Sequence, residues 1–245
     1  MRDPVEFFPS SQSRVGRLIR LPLRLVPRGA VLPILSGPCA GMRWINGSGP
    51  GSCWLGIFEL EKRRLFGGFV KPGMVVFDVG AHVGSYTMHA SRLCGSHGHV
   101  FAFEPVPANL RYLKRHIELN HLTNVTVIEA ALSDIDGPAR FAPAPDGVTS
   151  HLSPKGALEV SCHRLDTLVS EGIVPAPDCI KIDVEGAEAA VLRGAIELLT
   201  TCRPAIFLAT HGAHLIEECT SILDEVSYQL HRIADLPDEF IARPA

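Results

Sequence analysis

Between residues 75 and 104 the chain runs Val75-Val76-Phe77-Asp78-Val79 into Gly80-Ala81-His82-Val83-Gly84 and then closes a second apolar run, Val100-Phe101-Ala102-Phe103, on Glu104. Short apolar runs bounded by turn residues read as strands buried on both faces, and a helix-length stretch joins these two. Strands of that kind belong to a parallel sheet, which needs helices on both faces and connects its strands by right-handed crossovers. The chain is thereby confined to a layered α/β architecture, with the glycine turn and Glu104 on the same rim, outside the carboxyl ends of the strands.

That rim is where a nucleotide-type cofactor binds in open α/β sheets, and the glycines supply what it needs. A ligand can lie against the sheet edge only where backbone replaces side chains, and Gly80 and Gly84 are bare just as the next helix begins. Glu104, twenty residues beyond Gly84, can accept both hydroxyls of an adenosine ribose. The turn reads Gly80-x-x-x-Gly84 and lacks the G-x-G-x-x-G spacing that brings a pyrophosphate to a helix N-terminus, which argues against a nicotinamide dinucleotide. Asp78 points the same way, because its charge repels a pyrophosphate and attracts an ammonium. S-adenosylmethionine carries an α-amino group and a sulfonium and no phosphate, so an acid near the turn and another at the ribose suit it. Asp78 alone would serve equally as a cap for the helix opening near Val83.

Five strands are expected at 74–79, 99–103, 125–130, 179–183 and 205–209, with helices at 85–93, 107–120 and 186–199. Asp78, Glu104, Asp183 and Thr210 then share one rim. The stretch 137–161 is rich in Pro, Ala and Gly and exceeds ordinary loop lengths. It is expected to hold a short hairpin with arms at 139–142 and 158–162, carrying Ser150, His151 and Ser153 as a lid on the acceptor side. Residues 1–70 are taken as an N-terminal extension and cofactor-entrance segment, and 71–245 as the catalytic domain.

A net charge of -3 leaves no electrostatic footprint for nucleic acid. Seven cysteines form no C-x-x-C pair and are scattered, which reads as reduced thiols in a cytoplasmic protein. Arg14, Arg17, Arg20, Arg24 and Arg28 alternate with apolar residues, a basic amphipathic pattern that touches anionic membranes in some proteins. Pro22 and Pro27 interrupt it, and a solvated helix on the domain's flank is the expectation. Trp44 and Trp54 are expected in the core. Oligomeric state is not legible.

Trp54-Leu55-Gly56-Ile57-Phe58-Glu59, Phe77-Asp78-Val79-Gly80-Ala81-His82-Val83-Gly84, Phe103-Glu104-Pro105, Leu165-Asp166-Thr167-Leu168 and Ile180-Lys181-Ile182-Asp183-Val184-Glu185-Gly186-Ala187-Glu188 occur in one order. In that order the chain, from about Pro33 to Gly212, resembles the FkbM family of S-adenosylmethionine-dependent methyltransferases. The block beginning at Lys181 is the most specific part, since the glycine turn is common to all class I methyltransferases. The resemblance implies a Rossmann-like class I methyltransferase fold, a seven-stranded, mostly parallel sheet with a reversed last strand and helices on both faces. It also implies methyl transfer to a hydroxyl oxygen of a sugar, polyketide or other secondary metabolite. Fold and family leave the acceptor open.

Carried onto this chain, the resemblance sets Gly80, Ala81 and Gly84 against the methionine part of the cofactor and Glu104 on the ribose. Asp78 meets the amino group, Ser133 and Asp134 the adenine, Asp183 the transferring methyl, and Glu59 the entrance side. A hydroxyl acceptor calls for a base, and Asp183, His211 and His82 are the candidates, with Glu185 also on the rim. Where the family has a Glu before the His that follows the fifth strand, this chain has Thr210, which shifts attention to His211. Glu185 and Glu188 open a helix, where carboxylates are favoured by the dipole in any case. No metal is expected, although Asp183, His211 and His214 are ligand types. N-methylation is the runner-up activity, but Asp183-Val184-Glu185-Gly186 replaces the Asn/Asp-Pro-Pro-Tyr/Phe pattern of N-methyltransferases. A cofactor-binding module without catalysis is the other alternative.

Overall fold

The computed structural model describes residues 26–142, 151–152, 156–234 and 236–245. The basic segment therefore lies almost wholly outside the described residues, as do Ser150, Ser153 and the His151 side chain. The chain enters through a hairpin, β1 (Val31–Pro33) and β2 (Arg43–Ile45), followed by α1 (Gly51–Leu55) and α2 (Leu60–Phe69). Then come β3 (Val75–Val79), α3 (Ser85–Cys94), β4 (His99–Phe103), α4 (Pro107–Leu119) and β5 (Val125–Ile128). A small sheet follows from β6 (Ala131–Leu132), β7 (Gly137–Ala142), β8 (His151–Leu152) and β9 (Leu158–His163). The chain returns through α5 (Leu165–Ser170), β10 (Cys179–Ile182), α6 (Glu188–Arg193), α7 (Ile196–Thr201), β11 (Ala205–Ala209), α8 (Ala213–Glu225), β12 (Tyr228–Arg232) and β13 (Glu239–Pro244).

The main sheet has seven strands in the order β12-β13-β11-β10-β3-β4-β5, and β13 runs antiparallel to both neighbours while the pairs from β11 to β5 are parallel. The chain leaves β3 towards β4 and β5 and comes back on the other side at β10. The carboxyl end of β3 is therefore a topological switch point, where crossovers diverge and a crevice opens. Alternation along β3 sends Phe77 into one core layer and Val76 into the other. Into the second layer α2 inserts Phe66, fully buried, with Tyr86 and Phe207 edge-on at 5.5 and 5.2 Å. Such ring pairs add roughly 0.5–1.5 kcal/mol each beyond their buried area, so α2 belongs to the sheet's covering layer.

The hairpin is held by Asn120, which bonds the Arg43 amide and carbonyl at 2.6 and 2.9 Å, and by a histidine. His116 of α4 is buried, stacks on Trp44 at 4.2 Å, accepts from Ile45 N–H through Nε2 at 3.0 Å and contacts the Val83 carbonyl through Nδ1 at 2.8 Å. Only a neutral ring with its proton on Nδ1 makes both bonds. Burial lowers its pKa to about 4, against the Val83 carbonyl, which favours the charged form. Trp54 is buried in the same cluster.

Strands expected at 99–103 and 205–209 have those bounds, but the third ends at Ile128 and its continuation, Ala131–Leu132, joins the small sheet. The expected hairpin arms pair antiparallel with Phe141 opposite Leu158. The single helix expected over 186–199 is two, broken at Gly194, where a Cβ would lie 1.9 Å from the Ser133 carbonyl oxygen. The chain after β6 presses there, and only glycine admits it. No disulfide joins the seven cysteines. No helix among the described residues is long and apolar enough to cross a membrane.

Candidate active site

The carboxyl ends of β3, β4, β10 and β11 surround a cavity of about 340 Å³. Its floor is the turn after β3. Gly80 has φ 76°, and a Cβ there would sit 1.9 Å from the Asp183 carbonyl oxygen, so the turn and the end of β10 touch through bare backbone. The Gly80 and Ala81 amides both donate to the Phe103 carbonyl, at 3.1 and 3.0 Å, locking the turn to β4. Gly84 works differently. At φ 94° it precedes α3, and a Cβ would meet Leu113 Cδ1 at 2.7 Å, so it lets α4 close on the start of α3 and lies behind the cavity wall.

Glu104, 4% exposed, lines the cavity at the tip of β4. Its Oε2 accepts from His82 N–H at 2.8 Å, and its Oε1 from Val106 N–H at 2.9 Å and Asn109 Nδ2 at 3.2 Å. Burial raises its pKa, against those three bonds and the Lys181 charge. A carboxylate has about four acceptor positions, so a ligand hydroxyl can still be received. His82, in the left-handed region at φ 51°, lines the cavity, and burial and Lys181 lower its pKa, so it is neutral at pH 7.

Beneath the turn lies a charged cluster that the sequence reading assigned only in part. Lys181 on β10, 3% exposed, donates to the Gly80 carbonyl at 2.9 Å and reaches Asp78 Oδ1 at 3.3 Å and Asp183 Oδ2 at 3.7 Å. Burial works against its charge, but Asp78 and Asp183 outweigh burial and raise its pKa. Asp183 is held below the ordinary carboxylate range, burial opposing and Lys181, Lys62 and His211 prevailing. Asp78 is 1% exposed and accepts from Thr87 Oγ1 at 2.6 Å. It lies under the turn, outside the cavity lining, whereas Asp183 faces the cavity.

At the far side His211 follows β11. Its Nδ1 meets Glu188 Oε1 at 2.7 Å, and its Nε2 lies 3.3 Å from Glu185 Oε2 and 3.7 Å from Asp183 Oδ1. The hydrogen bond to Glu188 raises the His211 pKa to about 9, burial opposing and Glu185 and Asp183 adding to it. Asp183, Glu185 and His211 each offer one ligand atom within 4.8 Å of the others, a set that has the spacing for a cation. Thr210 is buried and spends its amide on the Asp238 carbonyl at 2.9 Å.

Glu59 lines the cavity with φ 46°, accepting from Tyr86 Oη at 2.9 Å and lying 3.8 Å from Lys62, which pairs with Glu239 of β13. Burial and Glu59 hold the Tyr86 phenol protonated. Ser133 and Asp134 are not among the lining residues: Ser133 is buried, and Asp134 lies 3.4 Å from Arg193. Ala130, Ala131, Leu132, Val106 and Phe141 form the wall there, an apolar slot. Composition carried no sign of that slot, because its residues come from four separate elements and turns.

A family model described as the methyltransferase FkbM domain matches residues 78–238. Hexuronic acid methyltransferase AglP of Haloferax volcanii is 30% identical over 153 residues, covering 62% of this chain and 62% of AglP. The 2-O-methyltransferase NoeI of Sinorhizobium fredii is 30% identical over 153 residues, covering 54% of this chain and 62% of NoeI. The alignments thus span about three fifths of the length of these curated relatives. Among solved structures, a ribosomal protein L11 methylase from Lactobacillus delbrueckii subsp. bulgaricus superposes with a TM-score of 0.53 at 15% identity, covering 83% of this chain and 86% of that one, a likeness of fold. The sheet order and the reversed β13 are those of the Rossmann-like class I methyltransferase fold.

Proposed function

Because this chain belongs to the FkbM methyltransferase family, we propose that it is an S-adenosylmethionine-dependent O-methyltransferase acting on a hydroxyl of a small-molecule acceptor, a sugar foremost. The observation that carries the reading is the cavity at the switch point, with bare Gly80 on its floor and Glu104 at its edge. The cofactor fits the residues present. Bare Gly80 lets the turn close on the Asp183 carbonyl and form the cavity floor, Glu104 keeps one acceptor position for a ribose hydroxyl, and the apolar slot at Ala130, Ala131 and Leu132 suits a flat adenine ring. Glu59, Glu104, Asp183, Glu185 and Glu239 line the cavity, a field that favours a cationic ligand. The printed names of AglP, a hexuronic acid methyltransferase, and NoeI, a 2-O-methyltransferase, support a sugar hydroxyl as acceptor.

When bound, S-adenosylmethionine supplies a methyl group already activated on a sulfonium. The chain's own work is then to hold, orient and deprotonate. Glu104 takes the ribose, Gly80 and Ala81 lend backbone to the methionine part, and Asp78 acts from below through Lys181 and the turn. Asp183 is ionised and faces the cavity, so it attracts the ammonium or sulfonium and favours an acceptor hydroxyl placed beside it. His82 is neutral, and His211 becomes a base as it loses its proton. Holding the two reactants in line supplies most of the acceleration. The test is transfer of labelled methyl from S-adenosylmethionine to a panel of hydroxylated sugars, including hexuronic acids, with the products assigned by NMR. O-methyl products support the reading, while N-methyl products or hydrolysis alone refute it.

A further inference from the structure

We infer that Asp183, Glu185 and His211 hold a divalent cation at the rim of the cavity, an ion of the Mn²⁺ kind whose open side receives the acceptor hydroxyl. The site stands on geometry, and only its part in methyl transfer rests on the reading above. All three residues line the cavity. His211 Nε2 lies 3.3 Å from Glu185 Oε2 and 3.7 Å from Asp183 Oδ1, and the ligand atoms of the three fall within 4.8 Å of one another. Both separations exceed the roughly 2.7–3.2 Å of an N–H···O bond, so the groups converge without closing on each other. They match the spacing of atoms that share an ion: ligands about 2.1–2.2 Å from a centre stand about 3.0–3.6 Å apart at octahedral to tetrahedral angles. This departs from the expectation of no metal, because the third group is Glu185 and not His214, which lies outside the cavity lining.

A second observation lies behind the imidazole. Glu188, fully buried at the start of α6, places Oε1 2.7 Å from His211 Nδ1, and its Oε2 is buried with no hydrogen-bonding partner among the described residues. A histidine that ligates a metal through one nitrogen almost always gives its other N–H to a carboxylate or carbonyl, which fixes the ring. A desolvated carboxylate is costly unless a charge or strong donor meets it, and a cation on Nε2 makes the imidazole a stronger donor. The ion also sets the tautomer, since an Nε2 lone pair bound to it leaves the ring proton on Nδ1. Charge balance agrees. Lys181 is shared by Asp78 and Asp183, and Lys62 by Glu59 and Glu239, so each ammonium already answers two carboxylates. Two carboxylates and one imidazole form a mixed ligand set that suits Mn²⁺ better than Ca²⁺, which takes oxygen alone. Three protein ligands leave an open position, the arrangement of catalytic metal sites. A hydroxyl bound there loses its proton to water more readily. The oxygen then forms its bond to the methyl carbon as the methyl–sulfur bond breaks, with that electron pair remaining on sulfur as a neutral thioether. With the ion in place His211 is a ligand, and no histidine base is needed.

The experiment is a Mn²⁺ titration of the full chain after dialysis against EDTA, followed by electron paramagnetic resonance, with pulsed spectra to detect a nitrogen ligand. The wild type should bind one Mn²⁺ per chain and show coupling to one imidazole nitrogen. Glu185→Gln and His211→Asn should each weaken binding at least about 10-fold, and His211→Asn should lose the nitrogen coupling. Glu188→Gln should weaken binding about 10- to 100-fold and keep that coupling. His214→Asn should leave the affinity unchanged. No saturable binding by the wild type, or binding without nitrogen coupling, overturns the inference even if no variant folds. Affinity that survives both Glu185→Gln and His211→Asn, or that falls equally with His214→Asn, overturns it as well, because the ion then sits elsewhere. Turnover should fall on removal of metal and return with Mn²⁺, and a rate indifferent to metal overturns the ion's part in the reaction. If no acceptor is methylated, the methyl-transfer reading fails while the resonance spectra still decide the site.

Discussion

Replacing Lys181 by Met removes the ammonium beneath the glycine turn while nearly conserving volume, so the cost is electrostatic. In the wild type that ammonium answers Asp78 at 3.3 Å, Asp183 at 3.7 Å and the Gly80 carbonyl at 2.9 Å, all within a region where Lys181 and Asp78 are 3% and 1% exposed. Breaking a buried pair by removing one partner costs roughly 3–5 kcal/mol, because the remaining charge stays desolvated. Asp78 retains Thr87, and Asp183 retains His211, which places the expectation at the lower end, about 3 kcal/mol. Since domains of this kind are stable by only about 5–15 kcal/mol, the denaturation midpoint in urea should move far to the left with the slope unchanged. The deficit should also depend on pH. The folded Asp183 pKa lies below its ordinary value of 3.8, with Lys181 the chief cause after opposing burial. Such a group contributes stability above its ordinary value and loses it as pH falls through the folded one. The variant has less of that contribution to lose, so the gap between the two proteins should narrow below about pH 4. A gap under about 1 kcal/mol at pH 7, well below the expected cost, would refute the reasoning, as would a gap that stays constant down to pH 3.

Gly80→Ala should sharply weaken cofactor binding, since its Cβ would lie 1.9 Å from the Asp183 carbonyl oxygen and the turn that forms the cavity floor must shift to relieve the clash. Gly95→Ala, also at positive φ (62°, with ψ -169°) but with open space around its Cβ, should lose about 1–3 kcal/mol of stability and keep the affinity. Calorimetry on both decides, and equal affinities would contradict the close-approach argument. Acid should destabilise the fold through His116, whose folded pKa of about 4 lies below its ordinary 6.5. The unfolded chain binds more protons between those values, so stability is full above pH 6.5 and falls by about 3 kcal/mol on the way to pH 4. Amide exchange at Ile45 should rise over the same window, as its acceptor Nε2 takes up a proton; protection that persists to pH 4 would contradict this.

The central sheet was legible because its strands are short apolar runs buried on both faces, as Val100-Phe101-Ala102-Phe103 and Ala205 to Ala209 show. The glycine turn and Glu104 were legible because their spacing is local and the chemistry at that rim is restricted. Lys181 was not, since its partners Val79 and Asp78 lie about a hundred residues earlier and a lysine inside a strand looks like an edge residue until the pairing is known. Glu188 was read as a helix-opening acid, and it does receive Gly186 N–H. Its bond to His211 depends on how α6 sits against the end of β11. The break at Gly194 had a local sign, a glycine within a helical pattern, but its reason, contact with the Ser133 carbonyl, is tertiary.

The measurement that bears most directly on the central claim is calorimetric titration of the purified chain with S-adenosylmethionine, beside Glu104→Ala and a parallel titration with NAD. Hydrogen bonds to a charged group are worth about 1.5–3 kcal/mol, so the variant should bind on the order of 10- to 100-fold more weakly. One site per chain, that loss of affinity and no heat with NAD are the predicted result. No binding of S-adenosylmethionine, or the same affinity with Glu104 removed, would contradict the claim that this cavity is a methyl-donor site.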